Sequence, residues 1–458
     1  MPIATIDPTT GQTVKTFEAY DAAEVRRRLD RAVDAAATLR ETPIAQRADW
    51  MRAAADIVEN DLDRLARMLT QEMGKPITQA RAEVHKCVRA MRFEADHVEE
   101  LLADQPLAEP DAVGASQAWT TWQPLGVVLA VMPWNFALWQ VMRFAAPALL
   151  AGNAGLLKHA SNVPQAALYL DSLFERAGFP PGSFQALLIP SSQVAGLIQD
   201  DRIAAVTITG SEPAGRSVAE TAGKAIKKSV LELGGSDPFI VMPGVDLDTA
   251  SSTAVRARVQ NNGQSCIAAK RFVVHTDIYD DFVDQFTAKM ADLVVGDPMD
   301  EATDVGPLAT ESGRRDLAEL VDDATAKGAD VLVGGNVGDG PGWFYPPTAL
   351  AGLTDDMRIV TEEAFGPVAA IYRVSDRDEA VRVANQTSFG LSSAVWSPDA
   401  DEQAWFVREL DAGAVFVNGM SESSAELPFG GVKASGYGRE MGTAGIHEFC
   451  NLKAVWKA

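Results

Sequence analysis

The chain has 458 residues, 47% of them hydrophobic and 22% charged, with a formal net charge of −23. That length and apolar fraction allow two or three structural units with a large core and exclude a disordered chain. The acidic excess argues against nucleic acid or an anionic membrane as partner, and any site for an anionic small molecule must supply its own cations.

The first residues, MPIATIDPTTGQ, lack a basic start and an apolar run, so they predict no signal peptide. AAEVRRRLDRAVDAAATLR and QRADWMRAAADIVENDLDRLARMLTQEMG carry apolar residues at helical spacing and predict helices within 21–104, with Gly74 as a stop. Pro106, Pro110 and Gly114 then precede SQAWTTWQPLG, an extended segment. From there strands alternate with helices. GVVLAVM (126–132), AGLLKHA, FQALLI, AAVTITG (204–210) and SVLELGG (229–235) are strands; ALWQVMRFAAPALLAG, VPQAALYLDSLFERAG and EPAGRSVAETAGKA are helices. The pattern restarts with strand PFIVM (238–242), helix AVRARVQNNG, strand RFVVH (271–275) and helix DIYDDFVDQFTAKMADL. Such alternation predicts two αβ units, each a parallel sheet covered on both faces, with a boundary near 233–236. Neither GVVLAVMPW nor FAAPALLAGNAGLL reaches the roughly 20 apolar residues that span a bilayer. In the tail NLKAVWKA, the alternation of Leu452, Ala454 and Trp456 predicts an added strand. Its open edge predicts pairing with another chain, as a homodimer or homotetramer.

Cys87, Cys266 and Cys450 are odd in number and far apart, so they predict no disulfide framework and no CxxC metal pair. A reducing, cytosolic compartment follows. A lone cysteine is most often a small hydrophobe. Cys266, however, ends NNGQSC, a run of small and amide residues that leaves backbone N–H groups to face an incoming oxygen. A nucleophilic thiol needs an activator. Glu232, between Leu231 and Leu233 in LELGG, is desolvated enough to serve as a base, or is a strand-end glutamate paired with Lys227 or Lys228. Asn135, in VMPWNFALW, can donate to a developing oxyanion or cap a helix. Arg143 interrupts an apolar helix face and needs an anion, either a substrate carboxylate or a nearby Asp or Glu. Gly210 and Ser211 precede a helix starting near Pro213. That arrangement suits a phosphate, although the GxGxxG fingerprint is absent, and a plain strand–turn–helix has the same pattern.

PWNF (133–136), GN (152–153), Lys158, TGS (209–211), LELGG (231–235), GQSC (263–266), EEAFGP (362–367), FVNG (416–419) and PFGGVKASGYGRE (428–440) occur in the order that resembles the aldehyde dehydrogenase superfamily, over essentially the whole chain. Within it the sequence is most similar to the short bacterial succinate-semialdehyde dehydrogenases. The resemblance implies an α/β fold of two doubly wound domains. A Rossmann-like cofactor-binding domain would span 1–105 and 126–232, and a catalytic domain 233–440. A small β bridging and oligomerisation element would be built from 106–125 and 441–458. It also implies that Cys266 attacks an aldehyde to give a thiohemiacetal and then a thioester, with no metal. Asn135 and the Cys266 N–H would hold the oxyanion, and Glu232 would activate water.

By the same resemblance, Trp134, Gly210, Ser211, Gly215, Leu233 and Gly234 fall at cofactor-binding positions. Glu363 and Phe365 would hold the nicotinamide ribose and pack near the ring. Where NAD-preferring members often read Lys-Pro-x-Glu, this chain has Lys158, His159, Ala160 and Ser161. Loss of the carboxylate removes repulsion of a 2′-phosphate, and Lys158 adds positive charge, so NADP is expected over NAD. Arg143, Ser265 and Ser423 would bind the carboxylate of a small aldehyde. The longer enzymes place a second arginine where Gln260 stands, which leaves a glutarate-semialdehyde or broad-specificity dehydrogenase using NAD as the alternative. A non-catalytic structural relative is the alternative from another class. Asn451 replaces an acidic residue of some relatives, which argues against a proton relay there.

Overall fold

The computed structural model describes residues 2–338 and 340–458. The hairpin β1 (Ala4–Asp7) and β2 (Gln12–Thr16) leads into helices α1 (Ala22–Glu41), α2 (Ile44–Asn60), α3 (Leu62–Met73) and α4 (Ile77–Leu101). Helix α3 ends at Gly74, whose φ of 80° is left-handed and which lies against the Pro307 carbonyl, where a side chain has no room. Strands β3 (Gln105–Pro106) and β4 (Gln117–Pro124) follow.

The first αβ unit then runs β5 (Val127–Met132), α5 (Trp139–Ala151), β6 (Ala154–His159), α6 (Pro164–Arg176), β7 (Phe184–Ala186), α7 (Val194–Gln199), β8 (Ile203–Thr209), α8 (Glu212–Lys224) and β9 (Lys228–Glu232). Its strands lie parallel in the order β9-β8-β5-β6-β7. They are near-continuous apolar runs because helices cover both faces. The second unit contains β10 (Asp237–Val241), α9 (Leu247–Val259), β11 (Ala269–His275), α10 (Tyr279–Ala291), β12 (Asp330–Val333), β13 (Thr348–Ala351), β14 (Val368–Val374), β15 (Ser393–Trp396) and β16 (Val415–Val417). Its sheet order is β12-β13-β14-β11-β10-β15-β16, parallel except that β12 runs against β13. The mixed α/β architecture with two doubly wound sheets is the one expected from the alternation.

Two details differ from expectation. Strand β17 (Gly436–Tyr437) lies within the range assigned to the catalytic unit, yet it pairs antiparallel with β9 and extends the first sheet. Gly436, at φ 112°, sits so close to the Leu231 carbonyl that only a residue without Cβ can enter there. Helix α9 also stops at Val259 rather than continuing through NNG, because Asn261 and Asn262 adopt left-handed φ values of 54° and 58°.

Strand β18 (Cys450–Lys457) pairs with β4 along its whole length, from Cys450 opposite Pro124 to Lys457 opposite Gln117. With β3 the three form a separate sheet, and the outer edge of β18 takes no strand among the described residues. Among those residues no helix is long and apolar enough to cross a membrane.

Candidate active site

Two buried carboxylates fix the helices that frame the site. Glu83 on α4 accepts the Leu138 and Trp139 N–H groups at the start of α5, at 2.9 and 3.0 Å, and pairs with buried Lys75. Glu72 on α3 accepts the Gln165 and Ala166 N–H groups at the start of α6, at 2.9 and 3.1 Å, and the Thr5 hydroxyl at 2.7 Å. Neither helix has a side-chain cap of its own, so these distant carboxylates satisfy the exposed N–H groups. Asn135 and Ser161 therefore do not cap α5 and α6.

The cysteine loop is held from below. Arg258, fully buried at the end of α9, donates to the carbonyls of Ala269 and Gly263 at 2.8 and 2.7 Å. Asn261 donates to the carbonyls of Asn135 and Gln264, and Asn262 to those of Gly74 and Pro307. Gly263, at φ 72°, is pressed against Gly366 and Pro367. Lys270 Nζ donates to the carbonyls of Ser265 and Cys266 at 2.8 and 2.5 Å and pairs with Glu363 at 3.1 Å.

Thus fixed, Cys266 lines two cavities at once. Burial pushes its thiol up to about 12, with Arg143 and Lys270 pulling the other way. Asn135 shares the first cavity with it and donates Nδ2 to the Gln264 carbonyl at 3.0 Å, which leaves one amide hydrogen for another acceptor.

The first cavity, of about 270 Å³, is lined by Trp134, Gly210, Ser211, Leu233, Gly234, Glu363 and Phe365, all read from the sequence as cofactor positions. Trp134 and Phe365 meet edge to face at 5.8 Å. Gly215 packs under Leu233, where a Cβ would come within 2.5 Å of the leucine methyls. The donor set suits a dinucleotide. Ser211 begins α8 without a side-chain cap, so its first N–H groups face outward, and Thr209 Oγ1 is buried without a hydrogen-bond partner. On β6, separated from β8 by β5, Lys158 is buried and has no carboxylate partner among the described residues; burial lowers its pKa. An unneutralised lysine close in sequence to Ser161 fits an added phosphate. Both lie outside the lining of the cavity itself.

The second cavity, of about 200 Å³, is lined by Arg143, Ser265 and Ser423 together with Lys86, Gln260 and Phe429, among others. The three residues singled out for a substrate carboxylate are therefore brought together. Arg143 is nonetheless committed in part elsewhere, with its Nη2 left without a partner. Its Nε lies 2.8 Å from Glu440 Oε2, and its guanidinium stacks over Phe429 at 4.4 Å. The protein-carboxylate alternative for Arg143 is thus realised, and the side chain still reaches the cavity wall.

Glu232 does not pair with Lys227 or Lys228. Lys228 binds Glu448 at 2.8 Å, and Lys227 donates to the Asp200 carbonyl. The Glu232 carboxyl is buried against Gly430, with neither oxygen hydrogen-bonded. Burial first, and Glu440 second, hold its pKa well above the ordinary carboxylate value. Glu440 closes the PFGGVKASGYGRE motif, but the sequence carried no sign that it would stand beside Glu232. Lys86 was missed too, because it lies in a helix rich in solvated charges.

A family model described as "Aldehyde dehydrogenase family" matches residues 1–455. The chain is 60% identical to the succinate-semialdehyde dehydrogenase [NADP(+)] of Mycobacterium avium, over 100% of this chain and 97% of that one. It is also 60% identical to succinate-semialdehyde dehydrogenase [NADP(+)] 1 of Mycobacterium tuberculosis, over the full length of both. The crystal structure of succinic semialdehyde dehydrogenase from Streptococcus pyogenes in complex with NADP+ superposes with a TM-score of 0.96 at 37% identity, covering 99% of each chain.

Proposed function

The chain belongs to the aldehyde dehydrogenase family, and from that membership we propose that it oxidises succinate semialdehyde to succinate with NADP as hydride acceptor. The observation that carries the site assignment is the position of Cys266 on the shared wall of two cavities, one suited to a dinucleotide and the other lined by hydrogen-bond donors.

Cys266 Sγ attacks the aldehyde carbon and forms the thiohemiacetal. The raised thiol pKa means that this proton must leave as the substrate arrives, and Arg143 and Lys270 favour the thiolate. The carbonyl oxygen, now negative, is held by the Asn135 amide and the Cys266 N–H; one such donor is worth about 3 kcal/mol of barrier. The chemistry supplied by bound NADP is acceptance of a hydride. Water adds to the carbon of the resulting thioester while Glu232 takes its proton, which requires the Glu232 carboxyl to leave the side of Gly430, and the C–S bond then breaks to release succinate and return Cys266 as the thiolate. A carboxyl with a pKa raised by burial is matched to that task near neutrality. Lys158 and Ser161 take the 2′-phosphate, while Glu363 and Phe365 hold the nicotinamide end.

We place the cofactor domain at 1–105 and 126–232, with Gly436–Tyr437 added to its sheet, and the catalytic domain in the rest of 233–440. The open edge of β18, with Leu452 and Trp456 about half exposed, supports a homodimer or homotetramer, and the three free cysteines suit a reducing, cytosolic compartment.

Initial rates with succinate semialdehyde, glutarate semialdehyde and butanal, each with NADP and NAD, test the assignment. Succinate semialdehyde with NADP should give the highest kcat/KM. A lead of about tenfold for another aldehyde or for NAD would overturn it.

A further inference from the structure

An open groove of about 670 Å³ shares no lining residue with the two cavities at Cys266. It lies between two helix faces. Arg64, Arg67, Met68 and Gln71 recur at helical spacing on α3, and Gln165, Leu168, Tyr169, Ser172 and Arg176 do so on α6. Lys15 of β2 adds to the wall. The hairpin that carries it is tied to the start of α6, because Gln165 Nε2 donates to Thr5 Oγ1 at 3.1 Å and the Ala4 N–H to the Ser161 carbonyl at 3.0 Å. Four of the lining side chains are cations and none is a carboxylate, although the chain has 63 acidic residues against 40 basic. Asp61 reaches two of them from outside the wall. It lies 3.3 Å from Arg176 and 3.9 Å from Arg64, and accepts the Tyr169 hydroxyl at 3.0 Å. Lys15 and Arg67 make no ion pair among the described residues; Lys15 lies over the Phe17 ring at 4.9 Å. Arginines of the adjoining α4 are matched: Arg81 pairs with Asp63 and Glu301, and Arg92 with Asp56 and Glu59.

Like charges gathered in a concave wall focus the field there, and an anion relieves their repulsion. Guanidinium groups meet phosphate oxygens as planar forks, which makes arginine the side chain suited to phosphate. The cations stand on three separate elements, so the charge that matches them is spread along a chain and not held at one point. We propose that this groove binds the phosphate chain of a small molecule of the nucleoside triphosphate class, with Lys15, Arg64 and Arg67 on the phosphates. Arg176 is the cation that Asp61 holds back. Half-buried Phe17, Met68 and Leu168 offer apolar surface to the rest of the ligand.

Calorimetric titration with ATP and with tripolyphosphate tests this on the NADP-loaded enzyme, whose cofactor cavity is already filled. At about 0.15 M salt the dissociation constant should rise about tenfold in Arg67→Gln, and further when Lys15→Gln is added. Arg315→Gln removes the same charge from an exposed position in the second unit and should bind as the wild type does. The three substituted side chains are exposed, so NADP affinity and circular dichroism should not change in any variant. Tighter binding of ATP than of tripolyphosphate assigns a nucleotide, and the reverse assigns an inorganic phosphate chain; both support the groove as a polyphosphate site. Binding of neither compound up to about 1 mM overturns the proposal. Equal dissociation constants in wild type and the double variant overturn it too. So does citrate bound as tightly as tripolyphosphate, since the groove would then respond to charge alone.

Discussion

Arg143 Nε and Glu440 Oε2 lie 2.8 Å apart, both side chains buried, beside the Glu232 carboxyl. The pair does two jobs. It cancels most of a buried cation next to Cys266, and it keeps a negative charge near Glu232 that opposes ionisation of the base. Burial dominates the rise of the Glu232 pKa, with Glu440 next and Arg143 working against both.

Removing that negative charge should make Glu232 easier to ionise. In Glu440→Gln the neighbouring repulsion is lost and Arg143 is no longer neutralised, so both changes lower the Glu232 pKa. Glu232 works as a base only when deprotonated. The acid limb of the pH profile for thioester hydrolysis should therefore move to lower pH. Single-turnover hydrolysis measured across pH checks this, and an unmoved limb would separate Glu440 from the base. Thermal stability should fall, since breaking a buried pair costs about 3 kcal/mol or more.

The two steps at Cys266 can be pulled apart. Cys266→Ala should abolish turnover, a loss on the order of 10⁴-fold or more, while nucleotide binding persists. Glu232→Gln should still form the thioester but hydrolyse it about 10²–10⁴-fold more slowly. The expected record is a burst of one NADPH per active site followed by a slow phase, with the acyl adduct visible by mass spectrometry on Cys266. Slow turnover without a burst would place Glu232 before the thioester instead of after it.

Ser161→Glu restores a carboxylate beside Lys158. That charge should repel a 2′-phosphate and pair with the lysine, lowering kcat/KM for NADP by about 100-fold and reversing the preference toward NAD. Parallel initial rates with the two nucleotides decide it. A variant that keeps its NADP preference would remove Ser161 and Lys158 from cofactor choice.

Most of the scaffold was legible because strand and helix periods alternate cleanly, and the continuous runs in β5, β6 and β8 are those of strands buried on both faces. What escaped were relationships between distant segments. Gly436 adds an edge strand to a sheet made some 200 residues earlier, and only the close approach of its backbone to Leu231 reveals why. Arg143 showed in the sequence as a charge on an apolar face, but its partner Glu440 is almost 300 residues away. Lys86 lines the second cavity for the same reason: its neighbour Ser423 arrives from the other end of the chain. Periodicity reports which face of an element is buried, not which distant side chain meets it.

Glu72 gives the clearest stability prediction, because its role as a distant helix cap conflicts with its burial. It accepts two backbone N–H groups of α6 and the Thr5 hydroxyl, all of which favour the carboxylate. Desolvation outweighs them and raises its pKa from 4.5 to about 7. Between those values the folded chain binds more protons than the unfolded one, so stability falls as pH rises from about 4.5 to about 7 and levels off above. The full span corresponds to about 3 kcal/mol. Glu72→Gln cannot ionise, so its unfolding free energy should lack this share of the decline, and the gap between variant and wild type should change by about that amount between pH 5 and pH 8. Urea unfolding at a series of pH values measures the slope directly. Parallel curves for the two proteins would mean that the N–H groups of α6 hold Glu72 ionised throughout, and that the cap, not the burial, sets its charge.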